Sequence, residues 1–304
     1  MSMTEKQLYE FETGLIPTAI EQSKVPAEVI GYGEISTVFQ IRGDDQNAYK
    51  RLPLFDKKQI AEDYAKIYNS YCNYLKNIGL NLPEDKTVII NQENRPVVLY
   101  IVQKKYNPER FAHKLTKSYD EQKFTILLDK ICTEIEKVWQ FNSENISEKE
   151  IAIDGQLSNW ILTENDKIFY IDTSTPLFKL DEVEQLNPDL ILKTAPSFLR
   201  WVLRLFFLKD VMGRYYDNRQ VYMDLIANLY KEQRSDLIPT AINTINKYLK
   251  NNDKSIELKE VEKYYKEDKI IWTLFLAFRK FDRWLTTKIF RQQYEFILPG
   301  KIKR

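Results

Sequence analysis

The stretch Asp154-Gly155-Gln156-Leu157-Ser158-Asn159, followed by Trp160-Ile161-Leu162, the turn Thr163–Lys167 and then Phe169-Tyr170-Ile171-Asp172, decides how the rest of the chain is read. Trp160–Leu162 and Ile168–Ile171 have the apolar, β-branched and aromatic character of two short strands joined by that turn. Asp154 and Asn159 therefore sit on the loop before a β-hairpin and Asp172 at its end. In that order, three hard oxygen ligands can converge on one magnesium site. Asp and Asn are also ordinary turn residues, so each one alone is equally open to a conformational reading. The series carries more weight than its members, and it extends upstream.

Towards the amino terminus, Val29–Ile41 reads as a hairpin around Gly31-Tyr32-Gly33-Glu34-Ile35-Ser36-Thr37-Val38, closed by the turn-rich Gly43–Asn47 and followed by a third strand over Ala48–Arg51. Small residues in such a turn let backbone N–H groups approach a phosphate, although a two-glycine hairpin turn is common without one. Lys50, twelve residues after Val38, would place a cation beside the same turn. A lysine on a strand is otherwise a solvated face. Asp56–Leu75 carries Ile60, Tyr64, Ile67, Tyr68, Tyr71 and Leu75 at the spacing of one helical stripe. Val88–Asn91 and Val97–Gln103, joined by Gln92–Pro96, form a second hairpin, and residues 4–23 read as a helix that Pro17 kinks or divides.

After Tyr106-Asn107-Pro108 the alternation gives way to helical periodicity, so the boundary falls there: an extension at 1–23, a sheet-bearing lobe at 24–106 and a helical lobe at 107–304. Asp120–Phe141 is a long amphipathic helix with Phe124, Leu127, Leu128, Ile131, Ile135 and Trp139 on one side. Pro196–Gln292 reads as helices broken near Pro239 and Asn251–Lys254. The hexapeptide Leu-Ile-Pro-Thr-Ala-Ile occurs at 15–20 and at 237–242, too short to mark a repeat.

Composition narrows the chemistry. With 45 Lys plus Arg against 44 Asp plus Glu, the net charge of +1 exerts no global pull on nucleic acid. One histidine, His113, leaves little for a Ser-His-Asp triad or a multi-histidine metal site, and it reads as a surface or capping residue. Two cysteines, Cys72 and Cys132, lack metal-ligand spacing, so no zinc is expected and a reducing, cytoplasmic setting fits. No apolar run reaches the length of about 20 residues that a membrane span needs. Residues 271–304 hold eight Lys or Arg, three of them Lys301, Lys303 and Arg304, against Asp282 and Glu295. Their aromatics recur at helical spacing, so a packed terminal helix with a solvated basic face is expected rather than a lipid or RNA surface.

Taken together, the glycine turn, the strand lysine, the Asp-x-x-x-x-Asn loop and the later Asp resemble the protein-kinase-like superfamily, and within it the aminoglycoside and choline phosphotransferases, over residues 27–175. The resemblance implies a bilobal α+β fold binding ATP and magnesium. Gly31, Gly33, Ser36 and Val38 would form the phosphate loop, with Ser36 in place of its third glycine. Lys50 would pair with phosphates, Asp154 would be the catalytic base, and Asn159 and Asp172 would hold the metal. Leu99–Tyr106 would be the strand and hinge against which adenine lies, with cofactor contacts at Gln103 and Lys105. For the acidic partner of Lys50, Glu62 has the expected residue type but lies nearly opposite the stripe, whereas Asp63 borders it. The chain departs from the protein-kinase pattern at Ala152-Ile153-Asp154, where His-Arg-Asp would stand, and at Asp172-Thr173-Ser174, where Asp-Phe-Gly would. The implied activity is phosphoryl transfer from ATP to a hydroxyl of a small molecule. The alternatives are a nucleotide-binding pseudokinase serving as an interaction module, and nucleotidyl transfer on the same fold.

Overall fold

In the computed structural model, which describes residues 3–33, 35–145, 148–193, 195, 199–200, 204, 208–249 and 254–299, the alternating segments pair into one five-stranded antiparallel sheet. Its strands are β1 (Ala27–Tyr32), β2 (Thr37–Ile41), β3 (Asn47–Phe55), β4 (Asp85–Ile90) and β5 (Val97–Lys104), in the order β1-β2-β3-β5-β4. The register sets Val38 opposite Lys50 and Lys50 opposite Ile101. Because side chains alternate across a strand, β3 sends Ala48, Lys50 and Leu52 to one face and Tyr49 and Arg51 to the other.

The Tyr49 face is closed by helix α1 (Glu5–Thr13), whose Leu8 and Phe11 join Phe39, Ile41, Tyr49 and Tyr100 in one buried cluster. Fully burying side chains of this size contributes roughly 1.5–3 kcal/mol each. The expected helix over 4–23 is two pieces: α1 stops at Thr13, and a single 3-10 turn follows at Ile20–Gln22, beyond Pro17. Pro17 cannot donate to an α-helical ladder, which accounts for the division.

A buried ion network locks this face. Arg51 donates Nε and Nη2 to the two Glu12 oxygens at 2.8 Å, and its Nη1 and Nη2 reach the Glu295 carbonyl and Oε2 at 2.7 Å. Arg95 Nη2 bonds both carboxylates, at 2.9 Å to Glu12 and 2.8 Å to Glu295. Two guanidinium groups thus face two carboxylates in a site where Arg51 is 1% and Glu12 0% exposed. The terminal segment holding Glu295 and Ile297 is thereby fixed to the sheet beside α1.

The other face packs helix α2 (Lys58–Ile78), which ends at Gly79, a left-handed residue with φ of 97° whose N–H bonds back to Leu75 and Lys76. The helical part follows. Helix α3 spans Ala112–Ser118, and α4 spans Glu121–Glu144 with Asp120 accepting from the Lys123 N–H as its N-cap. The expected Phe124 to Trp139 stripe is buried. Strands β6 (Lys149–Ile151), β7 (Trp160–Leu162), β8 (Ile168–Tyr170), β9 (Phe178–Leu180) and β10 (Val183–Glu184) form a β7–β8 hairpin and a small β10-β9-β6 sheet. Helices α5 (Pro188–Leu192), α6 (Leu208–Tyr215), α7 (Asn218–Lys231), α8 (Ile238–Ile245) and α9 (Leu258–Trp284) complete the described chain.

Several expectations are met or corrected here. The helix break expected near Pro239 is present, over residues 232–237 between α7 and α8, and Pro239 itself sits in the first turn of α8, where its missing N–H costs nothing. The two hexapeptide copies thus occupy unlike surroundings, a non-helical connection and a helix start. His113 is half-buried against Phe111, with ring centroids 5.8 Å apart, rather than a surface residue. Helix α9 buries Val261 and Arg279 but leaves Ile270, Leu274 and Trp284 exposed, so its apolar residues do not all pack inward. Pro196, Asn251 and the last basic residues, Lys301, Lys303 and Arg304, lie outside the described residues.

Two predictions follow from the sheet. Replacing Arg51 with Met leaves Glu295 to Arg95 and Glu12 to Arg95 and the Tyr100 hydroxyl, and removing one partner of a buried network costs about 3–5 kcal/mol, read as a lower urea midpoint. A midpoint within about 0.5 kcal/mol of wild type would show that Arg95 suffices. In the β2–β3 turn, burial opposes ionisation of Asp44, but hydrogen bonds from Asn47, Tyr49 and the N–H groups of Met3 and Gln46 outweigh it and hold the carboxyl at about 2. With the folded value below the ordinary 3.8, the stabilisation is full above pH 3.8 and is lost as pH falls towards 2, an effect on the order of 2 kcal/mol. Asp44→Asn is expected to flatten the acid limb of stability in that window, checked by denaturation between pH 2 and 5.

Candidate active site

Lys50 emerges from the centre of the sheet at 7% exposure and is met by the segment that ends the β7–β8 hairpin. Its Nζ donates to the Ile171 carbonyl at 2.6 Å and lies 4.0 Å from Asp172 Oδ1. Burial pushes the ammonium below its ordinary value, and Asp172 pulls the other way. Next to this pair opens a recess whose lining includes Gly33, Asp154, Tyr170, Asp172, Ser174 and Tyr215. The glycine turn, the Asp154 loop and the Asp172 segment, far apart in sequence, share one hollow.

The Asp154 loop is folded onto itself. Asn159 Nδ2 donates to the Asp154 carbonyl at 3.2 Å, Trp160 Nε1 to the Gly155 carbonyl at 3.1 Å, and the Gln156 N–H to Asp154 Oδ1 at 3.0 Å. The Asp154 N–H donates to the Tyr170 hydroxyl at 3.2 Å. With its nitrogen engaged, Asn159 keeps Oδ1 as the atom able to ligate a cation; that oxygen accepts a long 3.4 Å bond from Ser158. Asp172 Oδ1 accepts from Ser174 Oγ at 3.1 Å. Both donors are hard oxygens, and magnesium commonly takes one or two protein oxygens and completes its shell with phosphate and water, so these residues fit that ion. Among the described residues no group of three or more His, Cys, Asp and Glu is gathered as a metal site. Gly155 is required by packing: a Cβ there would lie 2.8 Å from Val221 Cγ1 on α7.

The turn of the β1–β2 hairpin is closed by a bond from the Gly33 N–H to the Ser36 carbonyl at 2.9 Å, and a Cβ on Gly33 would meet Ser36 Oγ at 2.6 Å. Gly31 pairs with Val38 across the hairpin. Val38 and Ala48, half-buried and on the Lys50 face, form an apolar roof between the turn and β5.

Four expected residues take other places. Asp63 is not the partner of Lys50; it is exposed and bonds Gln59 and Lys66 on its own helix. Glu62 pairs with Lys58. The buried face of α2 runs through Ala61, Tyr64, Tyr68, Tyr71 and Leu75, rotated from the stripe drawn through Ile60 and Ile67, and this turns both acids outward. Gln103 points back to the Asp172 segment, with Nε2 3.1 Å from Thr173 Oγ1. The Lys105 N–H donates to the Gln46 carbonyl at 2.7 Å and its Nζ bonds Gln40, while the Lys104 N–H donates to Glu84. The backbone amides at 104 and 105, where a hinge was expected, are therefore spent on the sheet.

What α2 supplies instead is hydroxyls. Tyr64 donates to the Ser174 carbonyl at 2.6 Å and Tyr71 to the Ala152 carbonyl at 2.7 Å, while Tyr68 donates to Asp85 and lies 3.3 Å from Thr173 Oγ1. Spaced i, i+4 and i+7, these three hold the carbonyl two residues before Asp154, the carbonyl two residues after Asp172 and the hydroxyl of Thr173. In the sequence they count as members of an apolar stripe. The available signal was three phenols on one buried helix face, since a buried Tyr hydroxyl seeks a partner.

Comparison with protein families places the chain in DUF6206, described as a family of unknown function, whose match covers residues 14–283. The chain belongs to that family. A search of curated proteins finds no match.

Replacing Tyr64 and Tyr68 together with Phe removes buried bonds worth about 1 kcal/mol each. The expected result is a lower melting temperature with faster amide hydrogen exchange at residues 171–175, followed by mass spectrometry. Destabilisation with unchanged exchange there would place the hydroxyls' contribution elsewhere.

Proposed function

We propose that this chain has a bilobal kinase-like fold and transfers a phosphoryl group from ATP, with magnesium, to a hydroxyl of a small molecule. The observation that carries the reading is the meeting of Asp172, Asp154 and Gly33 around one recess, with Lys50 beside Asp172. Phosphoryl transfer needs positioning and charge stabilisation more than covalent help, and the residue types present suit that division of labour.

Lys50 holds phosphate oxygens, and the Val38 and Ala48 roof accepts an adenine ring beneath it. Asn159 and Asp172 hold magnesium, which when bound neutralises charge on the transferring phosphate. Asp154, kept in place by Gln156, Tyr170 and Asn159, orients the acceptor hydroxyl and takes its proton. The two buried, unbridged cysteines accord with a reducing, cytoplasmic setting.

One observation favours the second reading, a nucleotide-binding pseudokinase. Ile35, at the tip of the glycine turn, is 2% exposed and packs in a cluster with Ala152 and Leu177, so the turn lies down over the recess. Turnover separates the two. ATP with magnesium at 100 times its dissociation constant is expected to add about 2.7 kcal/mol of stability, seen as a raised melting temperature. Asp154→Asn is expected to slow transfer roughly 10²–10⁴-fold while keeping magnesium-dependent ATP binding, whereas Asp172→Asn impairs both. No shift with millimolar ATP sinks both readings. Binding without transfer or hydrolysis above the Asp154→Asn background, across a broad panel of hydroxyl compounds, selects the pseudokinase.

A further inference from the structure

The last long helix shows water a face that a soluble helix ordinarily buries. Ile270, Leu274 and Phe278 recur at i, i+4 and i+8 on α9, and Trp284 continues the stripe; Ile270 is 60% and Trp284 50% exposed. The chain then widens into a π turn at Leu285–Ile289, and the stripe ends on Ile289 and Phe290, the latter 64% exposed. At 100° per residue, Ile270, Leu274, Phe278 and Trp284 cover an arc of about 120°. The opposite side of the helix is occupied: Arg279 is buried, with its guanidinium carbon 5.6 Å from the Phe275 ring centroid and 5.5 Å from that of Phe296.

From Lys269 onward the exposed charges along the stripe are cationic, and Glu267, one turn before Ile270, is the exposed acid at its start. Lys269, Lys280, Arg283, Lys288 and Arg291 are exposed between residues 269 and 291, and the acid of that interval, Asp282, is half-buried. On the helical wheel Lys269, Lys280 and Arg283 fall along one edge of the apolar arc. We propose that this face of α9 and its π turn is a docking surface for an anionic lipid membrane, lying in the interface with Ile270, Leu274, Phe278 and Trp284 towards the acyl chains. The combination of a contiguous apolar arc, a cationic border and an amphipathic Trp at the end is what an interfacial helix requires. The charge also decides against the competing occupants. A second copy docked by a two-fold axis would set the cationic border against itself. A nucleic acid would meet the cations but leave the aliphatic stripe unpaired, since phosphate has no use for Ile270, Leu274 and Ile289. No helix among the described residues is long and apolar enough to cross a membrane, so the contact is peripheral.

The test is co-sedimentation of the full chain with vesicles of phosphatidylcholine, and of phosphatidylcholine with 30 mol% phosphatidylglycerol, on the order of a typical anionic fraction. Binding to the mixed vesicles, weakened when salt rises from about 0.1 to 0.5 M and at least tenfold weaker to phosphatidylcholine alone, is expected. The pair Lys280→Glu and Arg283→Glu is expected to cut binding at least tenfold, as each cation contributes about 1 kcal/mol near an anionic surface. Leu274→Ser with Phe278→Ser is expected to cut it as much with little change in salt sensitivity. All four positions are exposed, and circular-dichroism melts establish that each variant is folded. Equal binding to both vesicles, or none at millimolar lipid, overturns the proposal. So does a concentration-dependent dimer that the serine pair dissolves, or retention of a random-sequence RNA oligonucleotide that the serine pair leaves intact.

Discussion

Two adjacent cations, Lys50 and Arg51, leave opposite faces of the central strand, and both are buried. An unpaired charge in that position is not tolerated by a folded protein, so each face of the sheet has to bring counter-charges from elsewhere in the chain. On one face Arg51 is met by Glu12 and Glu295, which ties a preceding helix and a distant following segment to the same strand. On the other face Lys50 is met by the Ile171 carbonyl and Asp172, which ties the helical part to the sheet. The sheet's position between its neighbours is set by these two demands, with apolar burial supplying the bulk of the free energy around them.

The two sites differ in a way that matters for chemistry. Around Arg51 each strong donor has a carboxylate or carbonyl, and the ensemble is closed. Around Lys50 the pairing is loose: Asp172 stands 4.0 Å away and its side chain is a third exposed, on the edge of the recess. Such a pair keeps spare hydrogen-bonding capacity on both partners and can take an incoming anion or cation without first breaking a tight ion pair. The rigidity that this looseness lacks comes from the α2 tyrosines and Gln103, which hold the Ser174 carbonyl and the Thr173 hydroxyl rather than the carboxylate itself.

How much of this was legible in the sequence depended on the length and the chemistry of each signal. Strands 27–55 and 85–104 declare themselves because several residues alternate between turns. The order β3-β5-β4 follows no local rule; β7 and β8, three residues each, are marked by the turn between them, whereas β6 and β9, equally short, pair across 26 residues or more. The series Lys50, Asp154, Asn159 and Asp172 could be read from spacing, and the fold does bring its members to one place. Asp63 failed because a stripe fixed by Ile60 and Ile67 is a fraction of a turn away from the face that is buried; helical arithmetic tolerates that error for apolar residues but not for one short carboxylate. Arg51, Glu12 and Glu295 gave no signal at all, since a charge whose partner is 244 residues away looks like any surface charge.

That separation has a consequence for how the protein is made. The sheet residues leave the ribosome long before Glu295 does, and at about 5–20 residues per second the 244 residues between Arg51 and its last partner take on the order of 10–50 s to synthesise. Throughout that interval Arg51 has Glu12 alone within the emerged chain to complete its guanidinium fork from the acidic side. The nascent sheet is therefore a provisional structure, open at its rear until Glu295 has emerged. A chain stalled or cut before Glu295 would present that unfinished rear face to chaperones and proteases.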